Sequence, residues 1–325
     1  MKPKQSVKDL IKELRDGSAR AAARLITLVE SNDLHVQEIM SQLYPYCGNA
    51  YVVGFTGAPG VGKSTLVGKF AKLLDKKGKS LAIIAVDPSS PFTGGALLGD
   101  RIRMMGDVGE KQNVFIRSLS SRGEVGGLSE ATHRVANVLD AFGKEFILLE
   151  TVGTGQDEIE VTKQADTVVV VLSPGMGDEI QTLKAGMMEI GDVFVLNKSD
   201  QEGAEMIVAF LETALQWKAK PGDHKPLLVK TIATREEGIE DLWQVIVEHR
   251  EYLEGTGFLQ ERRNKRLRLE VCKIMENRLS SHLHRFLDFE HEVSEIAKRK
   301  NDPYDQADIL LAAFLSYMGK VKLKK

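Results

Sequence analysis

Eight consecutive residues, Gly57-Ala58-Pro59-Gly60-Val61-Gly62-Lys63-Ser64, with Thr65 behind them, have the types and spacing that a polyphosphate requires. Glycines let successive backbone N–H groups converge on an anion without Cβ obstruction, and a helix starting at the lysine adds its positive end. In this arrangement Lys63 reaches the β- and γ-phosphates and the Ser64 hydroxyl ligates Mg2+. The second cluster is Asn197-Lys198-Ser199-Asp200, entered directly from the apolar run Val193-Phe-Val-Leu196. A carboxylate at Asp200 can accept from N1–H and the 2-amino group of guanine together. Adenine lacks that donor pair and would leave the charge unpaired, so GTP and GDP are favoured over ATP. The Lys198 stem is expected over the base, and Asn197 is expected to tie this loop to the phosphate loop.

Three further carboxylates follow apolar runs or flexible loops. Glu150 ends the run 146–150 and precedes Thr-Val-Gly153. A carboxylate there can hold Mg2+ directly or through water, and the Gly153 N–H can sense a γ-phosphate. In a Ras-like order the motif would read Asp-x-x-Gly-Gln. Here Glu150 replaces the Asp and the glutamine falls two residues late, at Gln156, so water positioning does not transfer directly. Asp87 leads into Pro88-Ser-Ser-Pro91, a stiff loop at a strand end; it either organises Mg2+ and the attacking water or caps the turn. The glycine-rich stretch 93–100 ends in Asp100 and has the make-up of a first switch loop. No arginine stands out as a finger.

Elements must hold these residues in place. Apolar runs at 52–56, 81–86, 114–117, 146–150, 167–172, 193–196 and 227–231 alternate with amphipathic stretches. Several are unbroken Val/Ile/Leu runs, the mark of strands covered on both faces, which predicts an α/β doubly wound, mostly parallel sheet. Residues 1–46 carry apolar positions at helical spacing. Beyond 250, Leu267, Val271, Met275, Leu279 and Leu283 repeat every four residues, giving a helix with one apolar stripe. That stripe either packs back on its own domain or serves a dimer. The basic residues of 262–268 read as a solvated face.

Bulk properties narrow the partners. The chain has 325 residues, 42% hydrophobic and 28% charged, with a formal net charge of −2, so nothing suggests nucleic acid as an electrostatic partner. Two cysteines, Cys47 and Cys272, cannot build a disulfide framework and fit a reducing, cytoplasmic setting. The first residues do not resemble a signal peptide, and no run of about 18 apolar residues suggests a membrane span.

Taken in order, Gly57 to Ser64, Asp87-Pro-Ser-Ser-Pro91, Gly94 to Asp100, Glu150-Thr-Val-Gly-Thr-Gly-Gln156 and Asn197 to Asp200 closely resemble the MeaB/MMAA-type GTPases, formerly called ArgK or LAO/AO transport-system kinases. Asp178 to Glu189 is similar to that family's third switch, and Asn301-Asp-Pro-Tyr304 also fits. The resemblance implies a P-loop GTPase of the SIMIBI class, usually a homodimer, binding GTP or GDP with Mg2+. It further implies a metallochaperone that couples GTP hydrolysis to adenosylcobalamin loading and to protection or repair of methylmalonyl-CoA mutase or a related mutase. By the same carry-over Lys63 and Ser64 hold phosphate and Mg2+, and Asp87, Asp100 and Glu150 lie near the metal. Asp178, Gln181 and Lys184 would signal to the mutase. Thr231-Ile232-Ala233 stands where such GTPases often have Ser-Ala, with base contact through backbone. The expected division is a helical extension at 1–46, the GTPase domain at 47–250 and a helical dimerisation arm at 251–325. The alternatives are a nickel-insertion GTPase, a nucleotide-dependent kinase, and a module that binds nucleotide without turnover. The first needs clustered Cys/His ligands and the second an acceptor pocket.

Overall fold

The computed structural model of the chain describes residues 6–87, 113–120, 127–151, 164–175, 188–218, 227–286 and 302–318, with positions 294 and 297. Seven strands form one sheet: β1 (Tyr51–Thr56), β2 (Leu81–Asp87), β3 (Val114–Ser120), β4 (Phe146–Thr151), β5 (Thr167–Leu172), β6 (Val193–Leu196) and β7 (Leu227–Lys230). Their order is β3-β2-β4-β1-β5-β6-β7, and every neighbouring pair is parallel. All seven runs expected from the sequence are strands. The main difference is β3, which continues to Ser120 because it pairs with β2 as far as Asp87↔Ser120. Its last residues, Ser118-Leu-Ser120, look polar in sequence, and only the neighbouring strand keeps them extended.

Successive strand residues point to opposite faces of the sheet, as its pleat requires, and in the central strands both sets are buried. Val53, Phe55, Leu81, Ile83, Phe146, Leu148, Val169, Val171, Val193 and Val195 face one apolar cluster. That cluster is closed by helices α4 (Lys63–Lys76) and Ile239–Thr256, which contribute Leu66, Phe70, Leu74, Leu242 and Ile246. The intervening residues Ala82, Ile84, Ile147 and Leu149 face the opposite layer, made of α1 (Val7–Arg15), α2 (Ala19–Glu30), α3 (Val36–Leu43) and the helix Gly127–Ala141. Further along that face, Val168, Val170, Phe194 and Leu196 pack on the helix Ala204–Lys218. Both faces are therefore covered, which is why the central strands read as unbroken apolar runs. The N-terminal helices start at serine caps: Ser6 accepts from the Asp9 N–H and Ser18 from the Ala21 N–H.

The sheet order also locates a crevice. β1 lies between β4 and β5, so the chain leaves β1 toward one edge and later returns to its other side. Ligands of open α/β sheets bind at such a reversal, beyond the strand carboxyl ends. The loop 57–62 emerges there.

Two compact units divide the chain, 1–260 and 261–325. In the second, Phe286 at the end of the helix Phe258–Phe286 packs at a tilt against Phe314 and Tyr317 of the helix Pro303–Met318, with ring centroids 5.7 and 4.8 Å away. The predicted stripe residues Leu267, Val271, Met275 and Leu279 are all exposed. No helix among the described residues is long and apolar enough to cross a membrane.

Candidate functional site

β1 delivers the chain at its carboxyl end into a loop that only glycine can form in two places. Gly57 has φ 144°, and a Cβ there would come 2.1 Å from the Val171 carbonyl oxygen. Gly62 has φ 94°, and its Cβ would meet Asn197 Nδ2 at 2.4 Å. Pro59 and Gly60 form the exposed tip, while Val61 is buried and Ala58 packs partly against the core. Gly62 is the N-cap of α4, and no side chain caps that helix start. The positive end of the helix is thus turned toward the loop, as an anion site at a helix start requires.

Lys63 is buried and donates from Nζ to the carbonyls of Gly57 at 2.6 Å and Ala58 at 3.0 Å. Its ammonium is therefore inside the loop it is expected to serve. Ser64 donates from Oγ to Glu150 Oε1 at 2.5 Å, a contact set by the parallel register Phe55↔Glu150 between β1 and β4. A serine hydroxyl and a carboxylate side by side at the mouth of a phosphate loop are hard oxygen donors of the kind Mg2+ takes, with phosphate and water completing its shell. The residues present fit that ion. Among the described residues no group of three or more His, Cys, Asp or Glu side chains comes together. The nickel-insertion alternative thus finds no ligand cluster there.

Asn197 joins three loops. Its Nδ2 donates to the Val61 carbonyl at 2.9 Å, and its Oδ1 accepts from Thr231 Oγ1 and from the Ala233 N–H, both at 3.1 Å. The expected tie to the phosphate loop is present, and the 231–233 segment is secured through the same side chain. Ile232 adds a backbone bridge to Glu237. Lys198 has φ 55° and donates from Nζ to the Gly60 carbonyl at 2.8 Å, so its stem spans from the Asn197–Asp200 loop to the phosphate loop. Asp200 is held by Arg235, whose guanidinium nitrogen lies 3.2 Å from Oδ2.

Among the expected residues, Gly57 to Thr65, Glu150, Asn197, Lys198, Asp200, Thr231, Ile232 and Ala233 are thus gathered at one edge of the sheet. Asp87 ends β2 at that edge, but its side chain lies outside the described residues, as do Asp100, Gly153, Gln156 and the segment 178–187. Arg235 was not singled out from the sequence. Its only signal there is its place two residues after Ala233.

A parallel sheet with a glycine loop at its reversal, a buried lysine within that loop and an Asn-Lys-x-Asp segment locked to it defines a P-loop GTPase. The chain belongs to the MeaB family, described as methylmalonyl Co-A mutase-associated GTPase, whose pattern its residues 22–286 match. A Pyrococcus abyssi relative named as a GTPase is 46% identical over 311 residues, covering 94% of this chain and 96% of the relative. The Escherichia coli GTPase ArgK is 36% identical over 288 residues, covering 86% of this chain and 87% of its own. The crystal structure of a LAO/AO transport system kinase superposes with a TM-score of 0.70 at 27% identity, over 95% of this chain and 97% of that one. The chain is a GTPase of this family.

Proposed function

We propose that this GTPase serves an adenosylcobalamin-dependent acyl-CoA mutase, methylmalonyl-CoA mutase or a close relative, as a chaperone whose grip on the mutase depends on the bound nucleotide. The observation that carries the reading is the match of residues 22–286 to a mutase-associated GTPase family. A built nucleotide edge supports it, because the loops that would meet phosphate and base are cross-tied through Asn197. Coupling requires only that the mutase bind the GTP and GDP forms with different affinity.

At the site, Lys63 would exchange its two loop carbonyls for the β- and γ-phosphate oxygens, placing its charge where negative charge builds up during transfer. Ser64 and Glu150 would hold Mg2+, with Asp87 and Asp100 nearby. Held there, the ion would supply positive charge against the phosphates. Gly153 would report the γ-phosphate through its N–H. Asp200 would accept from the guanine edge while Thr231, Ile232 and Ala233 close the base side through backbone. Asp178, Gln181 and Lys184 would form the segment that communicates with the mutase.

The reading also includes a homodimer in the cytoplasm. Four apolar residues at four-residue spacing, Leu267, Val271, Met275 and Leu279, are 40–57% exposed, and a second copy of the same stripe would cover them. The decisive experiment measures GTP turnover and co-elution of the purified chain with candidate mutases in GDP and in a non-hydrolysable GTP analogue. Stimulated turnover and nucleotide-dependent co-elution are expected, and Lys184→Ala should lose most of the stimulation. A mutase panel that neither binds nor stimulates in either nucleotide state overturns the reading.

A further inference from the structure

We infer that Arg235 is a positioning residue for base selection: it orients the Asp200 carboxylate so that both oxygens are presented to the guanine edge. The inference rests on the reading of Asp200 as the guanine acceptor and adds a residue from outside the Asn197–Asp200 loop.

The backbone brings Arg235 to this place. The segment 231–237 is a tight turn containing the 3-10 helix Ala233–Arg235. Ile232 and Glu237 exchange backbone hydrogen bonds at 3.1 and 3.3 Å, the Arg235 N–H donates to the Ile232 carbonyl at 2.9 Å, and the Glu236 N–H to Ala233 at 3.2 Å. The turn is pinned to the base loop twice, by Ala233 N–H on Asn197 Oδ1 and by Ser199 N–H on the Thr231 carbonyl at 3.1 Å. On its other side Glu236 sits among three lysines of α4: Lys72 at 2.5 Å, Lys69 at 3.6 Å and Lys76 at 3.9 Å. The hydrogen bond from Lys72 holds the Glu236 carboxyl below the usual carboxylate range, so the latch is charged at neutral pH. Arg235 therefore projects from a turn fixed at both flanks and meets Asp200 Oδ2 at 3.2 Å.

The stoichiometry of lone pairs allows both partners at once. A carboxylate offers about four acceptor sites on two oxygens, and guanine N1–H and its 2-amino group need one on each. Arg235 takes one site on Oδ2 and leaves room for the base. Without that contact, the Asp200 carboxyl torsion is broad and nearly two-fold, and the pair of acceptors must be ordered by the base itself. The ion pair is solvent-exposed, 60% on the arginine side, so its contribution to folding is small and its effect belongs in selectivity.

The test measures equilibrium affinities of the full chain for GDP, IDP and ADP in the parent and in Arg235→Ala, Arg235→Lys and Asp200→Asn. IDP lacks only the 2-amino group. The expected result is that Arg235→Ala lowers the guanine-over-hypoxanthine and guanine-over-adenine ratios by about threefold or more, near the upper range of exposed ion pairs. Arg235→Lys should recover part of the loss, since one ammonium can still reach one oxygen. Ratios unchanged in Arg235→Ala, tighter GDP binding, or an equal weakening of all three nucleotides overturns the inference, the last by assigning a merely structural role. If the parent itself shows no guanine preference, or Asp200→Asn leaves that preference intact, the underlying reading of Asp200 fails instead.

Discussion

At the N-terminal edge of the sheet, Tyr51, Thr167, His249 and Asp192 make a buried polar chain. The Tyr51 hydroxyl lies 2.6 Å from Thr167 Oγ1, Thr167 Oγ1 lies 2.8 Å from His249 Nδ1, and His249 Nε2 lies 3.5 Å from Asp192 Oδ1. The other Asp192 oxygen accepts from the Val168 N–H at 2.9 Å. At the C-terminal edge of the same strands, Lys63, Ser64, Glu150 and Asn197 are also wholly or largely removed from solvent. There, however, the lysine leans on main-chain carbonyls and the serine on a carboxylate, partners that phosphate and a cation can replace. One edge pairs side chains with each other, tying strands to the helix Ile239–Thr256. The other keeps charged and hydroxyl groups in exchangeable contacts. Polar burial at the first edge fits a stabilising role, and at the second it fits the proposed nucleotide site.

This contrast predicts a double dissociation. The largest effect is expected for Lys63→Ala. GTP hydrolysis should fall by at least about a hundredfold, because no other cation of the phosphate loop can take over charge stabilisation. The melting temperature should stay near the parent's, since the deletion removes a buried charge together with its hydrogen bonds to the Gly57 and Ala58 carbonyls. A large loss of stability with turnover preserved would erase the distinction between the edges.

Asp200→Asn comes next. Replacing the charged acceptor should weaken GTP by about 2–4 kcal/mol and favour xanthosine triphosphate, whose 2-oxo group meets the new amide donor. Equal GTP affinity in variant and parent, measured by titration of labelled nucleotide, would remove guanine recognition from this loop.

At the opposite edge, Thr167→Val keeps shape but deletes the hydroxyl between Tyr51 and His249. Both lose a partner inside the protein, so unfolding free energy should drop by about 1–3 kcal/mol. Turnover per folded molecule should remain that of the parent. Denaturant titration paired with GTPase assays on the same preparation checks both halves.

The smallest effect concerns alkaline pH. Burial pushes the Tyr51 hydroxyl well above its ordinary value of 10.0, outweighing the opposing hydrogen bond with Thr167. A raised folded-state value means that the stabilisation is complete below the unfolded value and is lost as pH rises beyond it, because the unfolded chain releases the proton first. Tyr51→Phe should cost about 1 kcal/mol at neutral pH through the missing hydrogen bond. That gap to the parent should narrow above pH 10.0. A gap that stays constant between neutral and alkaline pH would show that Tyr51 ionisation does not contribute.

Much of the scaffold was legible in the sequence. Residues 167–172 and 193–196 are unbroken Val/Ile/Leu/Phe/Thr runs because both faces of the sheet are covered, and that pattern survives without any knowledge of neighbours. The glycine loop leading into a helix and the tie from Asn197 to that loop were also readable, since their signals reside in contiguous residues. The full length of β3 was not, because Ser118 and Ser120 stay extended only through pairing with β2. Nor was the buried chain at the N-terminal edge, which joins positions up to 116 residues apart.

The sequence by itself determined the local chemistry: glycines where φ is positive, a lysine and a serine at a helix start, and a carboxylate after a strand. It also determined, through periodicity, that a parallel sheet would present them. Only the tertiary structure decided which of these groups meet. Ser64 and Glu150 are 86 residues apart and become neighbours because β4 lies beside β1 in the strand order. Asn197 bridges Val61 and Ala233 because β6 ends at the same edge as β1. Arg235 reaches Asp200 because a turn after β7 folds back against the loop after β6. Sequence spacing encodes contacts within one helix or one turn; contacts between strands depend on sheet order, which arises from packing of the whole domain.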